Sequence, residues 1–178
     1  MKRWLMLGVP VLAMVLVSAC GYGLTGRLNS LPAHIRTIGI PQFVNQSTTA
    51  DLDLLLTDAV RQEFQGRGRF RIVAETTGVD ALLTVTVQPI VSTPIEFNSA
   101  RQGSKYAIIL LASVQFTDER DKKVHFANPS LRALDEYILP NPTTGADPVA
   151  LFGADRNALE RVARTFARTL VTSILEAF

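Results

Sequence analysis

Tyr106-Ala107-Ile108-Ile109-Leu110-Leu111-Ala112-Ser113-Val114-Gln115-Phe116-Thr117 is the stretch on which the fold turns. Its second half sets Val114 and Phe116 against Ser113, Gln115 and Thr117, the period-two pattern of a strand with one buried face. Its first half is apolar on both faces. A sheet face open to water does not ordinarily carry Ile and Leu. Either sheet twist buries those residues or that face meets a partner.

Working upstream, Leu82 to Ile90 alternates Leu83, Val85 and Val87 with Thr84, Thr86 and Gln88, and Phe70 to Val73 is short and β-prone. Ile35, Ile38, Ile40 and Phe43, bounded by Pro32 and Pro41, predict a first strand. Between these, Leu52, Leu55, Leu56, Ala59, Val60 and Phe64 recur at three- and four-residue spacing, the stripe of an amphipathic helix. Thr48 and Asp51 are placed to cap its start as a capping box, and Gly66 and Gly68 to end it. Downstream, the charged turn Asp118 to Lys123 leads to strand segments Val124 to Phe126 and Leu131 to Ile138. Leu139 to Pro148 reads as irregular, because Pro140, Pro142, Gly145 and Pro148 oppose regular structure. Leu159, Val162, Ala163, Phe166, Ala167, Leu170, Val171, Ile174, Leu175 and Phe178 then form the strongest helical stripe in the chain. The expected fold is an α+β two-layer sandwich, two amphipathic helices packed on one face of a four- to five-stranded, mostly antiparallel sheet. The first strand-helix-strand unit suits a crossover between parallel neighbours.

The N-terminus carries a different signal. Lys2 and Arg3 precede an apolar run from Trp4 to Val17, and Ser18-Ala19 stand directly before Cys20, the chain's one cysteine. This is the pattern of a bacterial lipoprotein signal. The run is shorter than the roughly 20 apolar residues a spanning helix needs. A lone cysteine also forms no internal disulfide, so its position calls for another reason. Residues 1–19 are expected to be a signal peptide, 20–34 a lipidated tether, and 35–178 one domain. Cys20 is the expected lipidation site, bearing a diacylglycerol and an N-acyl chain. At about 0.8 kcal/mol per buried CH₂, such chains give stable anchoring. Gly21 follows where, in the lipoproteins of double-membraned bacteria that this signal resembles, an aspartate commonly signals inner-membrane retention, and that resemblance favours the outer membrane, on its periplasmic side.

Lysine plus arginine total 18 and aspartate plus glutamate 16, and without Lys2 and Arg3 the signs balance. The balance gives no support to nucleic-acid binding, which requires a clustered basic footprint. Catalytic motifs are missing: there is no Gly-x-Ser-x-Gly, no Walker loop and no dinucleotide fingerprint. His34 and His125 lack metal-ligand partners at motif spacing, and Asp118, Glu119 and Asp121, interleaved with Arg120, Lys122 and Lys123, read as a solvated hairpin turn. The expectation is a non-enzyme with no metal and no cofactor beyond the acyl chains.

Two basic features remain as binding candidates. The loop from Phe97 to Tyr106 places Arg101 and Lys105 at a sheet end beside two aromatics. Arg161, Arg164 and Arg168 follow a helical stripe on the last helix, with Glu160 four residues before Arg164. Guanidinium forks match phosphate geometry.

Cys20-Gly21-Tyr22-Gly23-Leu24, Leu31-Pro32-Ala33-His34-Ile35-Arg36-Thr37-Ile38, Pro41-Gln42-Phe43-Val44-Asn45, Glu63-Phe64-Gln65-Gly66-Arg67-Gly68, Asp80-Ala81-Leu82-Leu83 and Glu136-Tyr137 occur in that order. In this combination the chain resembles the lipopolysaccharide-assembly lipoprotein family LptE. The resemblance implies a lipid-anchored protein that plugs the large outer-membrane barrel LptD, assists its assembly and supports lipopolysaccharide delivery to the outer leaflet. It also implies that Arg101 and Lys105 contact lipopolysaccharide phosphate. Tyr22-Gly23 departs from the aromatic-histidine pair of better-known members, and their longer C-terminal tail is missing. The alternative is a periplasmic lipid carrier or adaptor lipoprotein not associated with a barrel, which an enclosed apolar cavity would favour. A hydrolase is a third class, with no residue set in its favour.

Overall fold

The computed structural model describes residues 31–67, 69–99, 101, 103–138 and 148–177, with side chains of 148–155 outside that description. The expected signal peptide, Cys20, most of the tether, Gly68 and most of the Leu139 to Pro148 segment therefore lie outside the described residues. Strands β1 (Thr37–Gly39) and β2 (Val44–Asn45) precede helix α1 (Leu52–Gly66). Strands β3 (Arg71–Val73), β4 (Ala81–Val87), β5 (Val91–Phe97), β6 (Gly103–Asp118) and β7 (Val124–Ile138) follow, and then helix α2 (Pro148–Glu176). Among the described residues no helix is long and apolar enough to cross a membrane.

β6 organises the sheet. One edge carries β7 along nearly its whole length, from Lys105 opposite Ile138 to Thr117 opposite Val124. The other edge is shared end to end, β4 pairing with Ala112–Asp118 and β5 with Gly103–Ile109, both antiparallel. β1 and β2 line the far edge of β4 in the same tandem manner, and β3 lies beyond β1; these three pairings are parallel. Seven strands thus make five rows, and the sheet is mixed where the sequence reading expected a mostly antiparallel one. The cause is connectivity. A helix between two strands returns the second parallel to the first, and α1 does this between β1 and β3. The chain then passes across β1 to reach β4. A Cβ added at Gly39 would strike the carbonyl oxygen of Glu75, so glycine is what lets that connection pass.

The two helices cover one face. Leu83, Val85 and Val87 of β4 and Ile108, Leu110, Val114 and Phe116 of β6 share a core with Leu52, Leu56, Val60 and Phe64 of α1. Ala158, Val162, Phe166, Leu170 and Ile174 of α2 complete it. α2 packs on α1 and across β6 and β7. Full burial of each large apolar side chain contributes about 1.5–3 kcal/mol.

Three local expectations are corrected. Asp51 caps α1 in a left-handed conformation, φ 58°, without a side-chain cap bond. The preceding turn is held instead by Asn45, whose Oδ1 accepts the Ser47 amide at 2.9 Å while its Nδ2 donates to the Thr49 carbonyl at 2.9 Å. α1 does end on Gly66, with Arg67 as its C-cap. α2 starts at Pro148, well before the stripe that announces it, with proline at the first helical position where its missing N–H costs nothing. The two strand segments after residue 123 form one strand, β7, irregular where Ser113 faces Pro129 and Ser130; such a bulge is where a sheet tolerates proline.

Candidate functional site

Sixteen residues at about 3.3 Å each give β6 a span of about 50 Å, and its ends carry different chemistry. At the far end, the tip, Arg101 sits in the β5–β6 connection with φ 59° and its amide donating to the Asn98 carbonyl at 2.9 Å. Its side chain is exposed, and no acidic partner meets it among the described residues. Lys105 is bound otherwise. Its Nζ lies 2.5 Å from Glu136 Oε2 and 3.6 Å from Glu96 Oε1. The Glu136 carboxylate raises the ammonium pKa above its ordinary value. A phosphate reaching Lys105 must displace that carboxylate.

Aromatic side chains brace the tip. Tyr106 and Tyr137 stack at 5.6 Å between centroids, and the Tyr137 hydroxyl lies 3.2 Å from Ser92 Oγ. A Cβ at Gly103 would collide with the Tyr106 ring, so this glycine makes room for the stack. Phe97 is 62% exposed.

The face turned away from the helices answers the question raised by the first half of β6. Ala107 is buried and Ile109 and Leu111 are half-buried, so neighbouring strands cover part of them. Val91, Ile109 and Leu134 face one another across three strands, and Val91 and Leu134 are 49% and 41% exposed. An apolar row thus lies partly open near the middle of β6, about 20 Å along the strand from the tip. Contiguous apolar surface left half-exposed in this way suits an interaction face.

Of the three arginines proposed on α2, the structure separates one. Arg161 Nε lies 2.6 Å from Asp135 Oδ2, and its Nη2 donates to the Glu136 carbonyl at 3.1 Å, so it fastens α2 to β7. Arg164 and Arg168 remain exposed. Glu160 pairs with Arg156 rather than Arg164.

At the opposite end, the base, lies a cluster that sequence reasoning missed. Asp118 is 1% exposed, not part of a solvated turn. His34 Nε2 is 2.6 Å and His125 Nε2 3.5 Å from its Oδ2, while Oδ1 accepts the Arg120 amide at 2.9 Å. Burial pushes its pKa up, but the Arg120 amide and the two imidazoles outweigh this and hold the carboxyl below its ordinary range. Asp80 Oδ2 accepts the amides of Arg36 at 2.9 Å and Thr37 at 2.7 Å, which also lower its pKa. Asp118, Asp121 and His125 bring ligand atoms within 4.8 Å of one another. Asp121 Oδ1 accepts the Lys123 amide at 3.0 Å and Asp118 Oδ1 the Arg120 amide at 2.9 Å, so these carboxylates also hold the β6–β7 turn. The signal was available: Asp118 is in phase with Val114 and Phe116 on the buried face.

With the geometry in place, the sequence matches the family model LptE: Lipopolysaccharide-assembly over residues 35–174. The chain belongs to the LptE family. Membership makes it an envelope lipoprotein of lipopolysaccharide assembly, in a family that is not enzymatic. Its fold is similar to that of an uncharacterized lipoprotein B from Nitrosomonas europaea, at TM-score 0.52 and 6% identity, over 81% of this chain and 88% of that one. A protein from Caulobacter crescentus CB15 is similar at TM-score 0.51 and 10% identity, over 75% and 88%. At these identities the likeness shows the fold alone. No curated protein matches the chain.

Proposed function

We propose that this LptE-family chain is anchored to the outer membrane through acylated Cys20, occupies the LptD barrel from the periplasmic side and supports lipopolysaccharide delivery. The observation that carries the reading is the partly open apolar row Val91–Ile109–Leu134 on the same sheet as a tip, about 20 Å further along β6, that bears an unpaired guanidinium. A barrel wall covers such a face, and the tip then meets the lipid A phosphates. Arg101 makes the primary phosphate contact. Lys105 joins once Glu136 is displaced, and the exposed Arg164 and Arg168 stay outside the site.

Affinity purification of the full-length protein from detergent-solubilised outer membranes tests this. A large β-barrel recovered in stoichiometric amount is the expected result. Recovery alone, or with a soluble periplasmic protein, overturns barrel occupancy and leaves the carrier or adaptor reading. The phosphate contact is tested by Arg101→Glu, which should weaken lipopolysaccharide binding while leaving barrel recovery unchanged. Lys105→Glu is the poorer probe, because it would place a third carboxylate beside Glu96 and Glu136.

A further inference from the structure

A second basic site lies at the base, far from the tip. A groove of about 420 Å³ is lined by Arg36, Arg69 and Arg71 together with Leu31, Ile35 and Phe70. Backbone pairing fixes the arginine geometry. Arg71 stands opposite Thr37 across the parallel β1–β3 pair, and its amide donates to the Arg36 carbonyl at 2.8 Å, which joins the two backbone segments at the groove and brings Arg36 and Arg71 to the same end of the sheet. Asp80 holds the other side of the same segment through the Arg36 and Thr37 amides. The backbone is therefore anchored while the three guanidinium groups stay exposed. Among the described residues no carboxylate pairs with any of the three, whereas Arg61, Arg67, Arg156 and Arg161 are all paired. Three unneutralised forks around a partly apolar groove suit a phosphate ester that carries a hydrocarbon portion.

The position of the groove selects the source of that phosphate. Leu31 forms its rim, and the chain between Cys20 and Leu31 reaches at most about 40 Å when fully extended. Given the anchoring at Cys20 on which this inference rests, the groove lies within that reach of the leaflet that holds the acyl chains. The concentration of phospholipid headgroups there is high. Each arginine near an anionic membrane surface contributes roughly fivefold to partitioning.

We infer that the Arg36–Arg69–Arg71 groove binds the phosphate headgroup of an anionic phospholipid in the anchoring leaflet. The contact orients the domain on its own membrane, with the base against the leaflet and the tip about 50 Å from it along β6.

The experiment is hydrogen exchange on the full-length acylated protein in nanodiscs of phosphatidylcholine alone and of phosphatidylcholine with phosphatidylglycerol. Segments 31–37 and 69–73 should exchange more slowly in the anionic discs, with β4 unchanged. High salt and the Arg36→Glu, Arg71→Glu double variant should each abolish the difference. Equal exchange in the two discs overturns the inference. Equal protection by inorganic phosphate added to the neutral discs overturns the lipid as source and leaves a free-anion site. Intact mass reads acylation separately. If Cys20 carries no acyl chain the anchoring reading fails, and the same comparison with discs added to the soluble chain still decides whether the groove takes the headgroup.

Discussion

Asp80 offers the sharpest test of how the base is held. Its carboxylate accepts two backbone amides that no other described group satisfies at that oxygen, Arg36 at 2.9 Å and Thr37 at 2.7 Å. Hydrogen bonds to a charged group are worth about 1.5–3 kcal/mol each when buried. One of these is in an exposed setting and the other half-buried, which brings the pair to about 2–3 kcal/mol in total. Asp80→Ala should therefore lower Tm by about 5–10 °C for a domain of this size. Asp80→Asn keeps an acceptor and loses the charge, and should cost about half as much. The pH dependence has a defined sign. The folded-state pKa of Asp80 is depressed by the two amides. Its stabilisation is thus complete above the unfolded carboxylate value of about 3.9 and is lost as pH falls through the lower folded value. Thermal melts of the full-length protein in detergent, followed by circular dichroism at pH 7 and across the acid range, measure both effects. A loss below about 0.5 kcal/mol for Asp80→Ala, the level of a neutral surface change, would refute the reasoning. So would an acid dependence that Asp80→Asn leaves unaltered.

Other consequences can be measured directly. Glu136→Gln removes the carboxylate that holds Lys105, so lipopolysaccharide affinity should rise with little change in Tm; unchanged affinity would detach Lys105 from the binding site. Gly39→Ala forces a Cβ against the Glu75 carbonyl and should cost about 1–3 kcal/mol by urea denaturation. Phe166 is fully buried between the helices and sheet, so Phe166→Ala should cost about 3–5 kcal/mol. Asp118→Asn should flatten the acid limb of stability as Asp80→Asn does, because this carboxyl too is held below its ordinary range.

The helix stripes and the alternation of β4 and β6 were legible because periodicity reports directly on which side chains are buried. Strand direction was not legible, since parallel pairing of β1, β3 and β4 follows from how α1 and the chain over Gly39 return, and neither leaves a periodic trace. β5 was missed because Pro94, exposed neighbours and two register shifts erase the alternation; a strand paired on one side only, as β5 is with β6, tolerates that. The position of Arg101 and Lys105 at one end of the sheet was legible from the loop composition, but Lys105 lies within β6, and the carboxylates of Glu96 and Glu136 that hold it come from other strands and could not be foreseen. The base cluster joins residues 34, 80, 118 and 125 across the sheet. Its clue was a charged residue falling on a buried phase, where the turn-like composition around Asp118 argued the opposite.

The tandem arrangement along one edge of β6 has a further consequence. The half paired with β4 rests on the helices and the parallel rows, while the half paired with β5 ends in a bulged, proline-containing strand with Val91, Ile95 and Phe97 exposed. Opening only the hairpin end, from Pro94 of β5 to Tyr106 of β6, exposes none of the described core residues, so it can fray as a local unit while the rest of the sheet keeps the protein folded. Selection can then rewrite the outer hairpin in length and charge without endangering the scaffold. A protein built this way can vary at its tip while its folding problem stays the same.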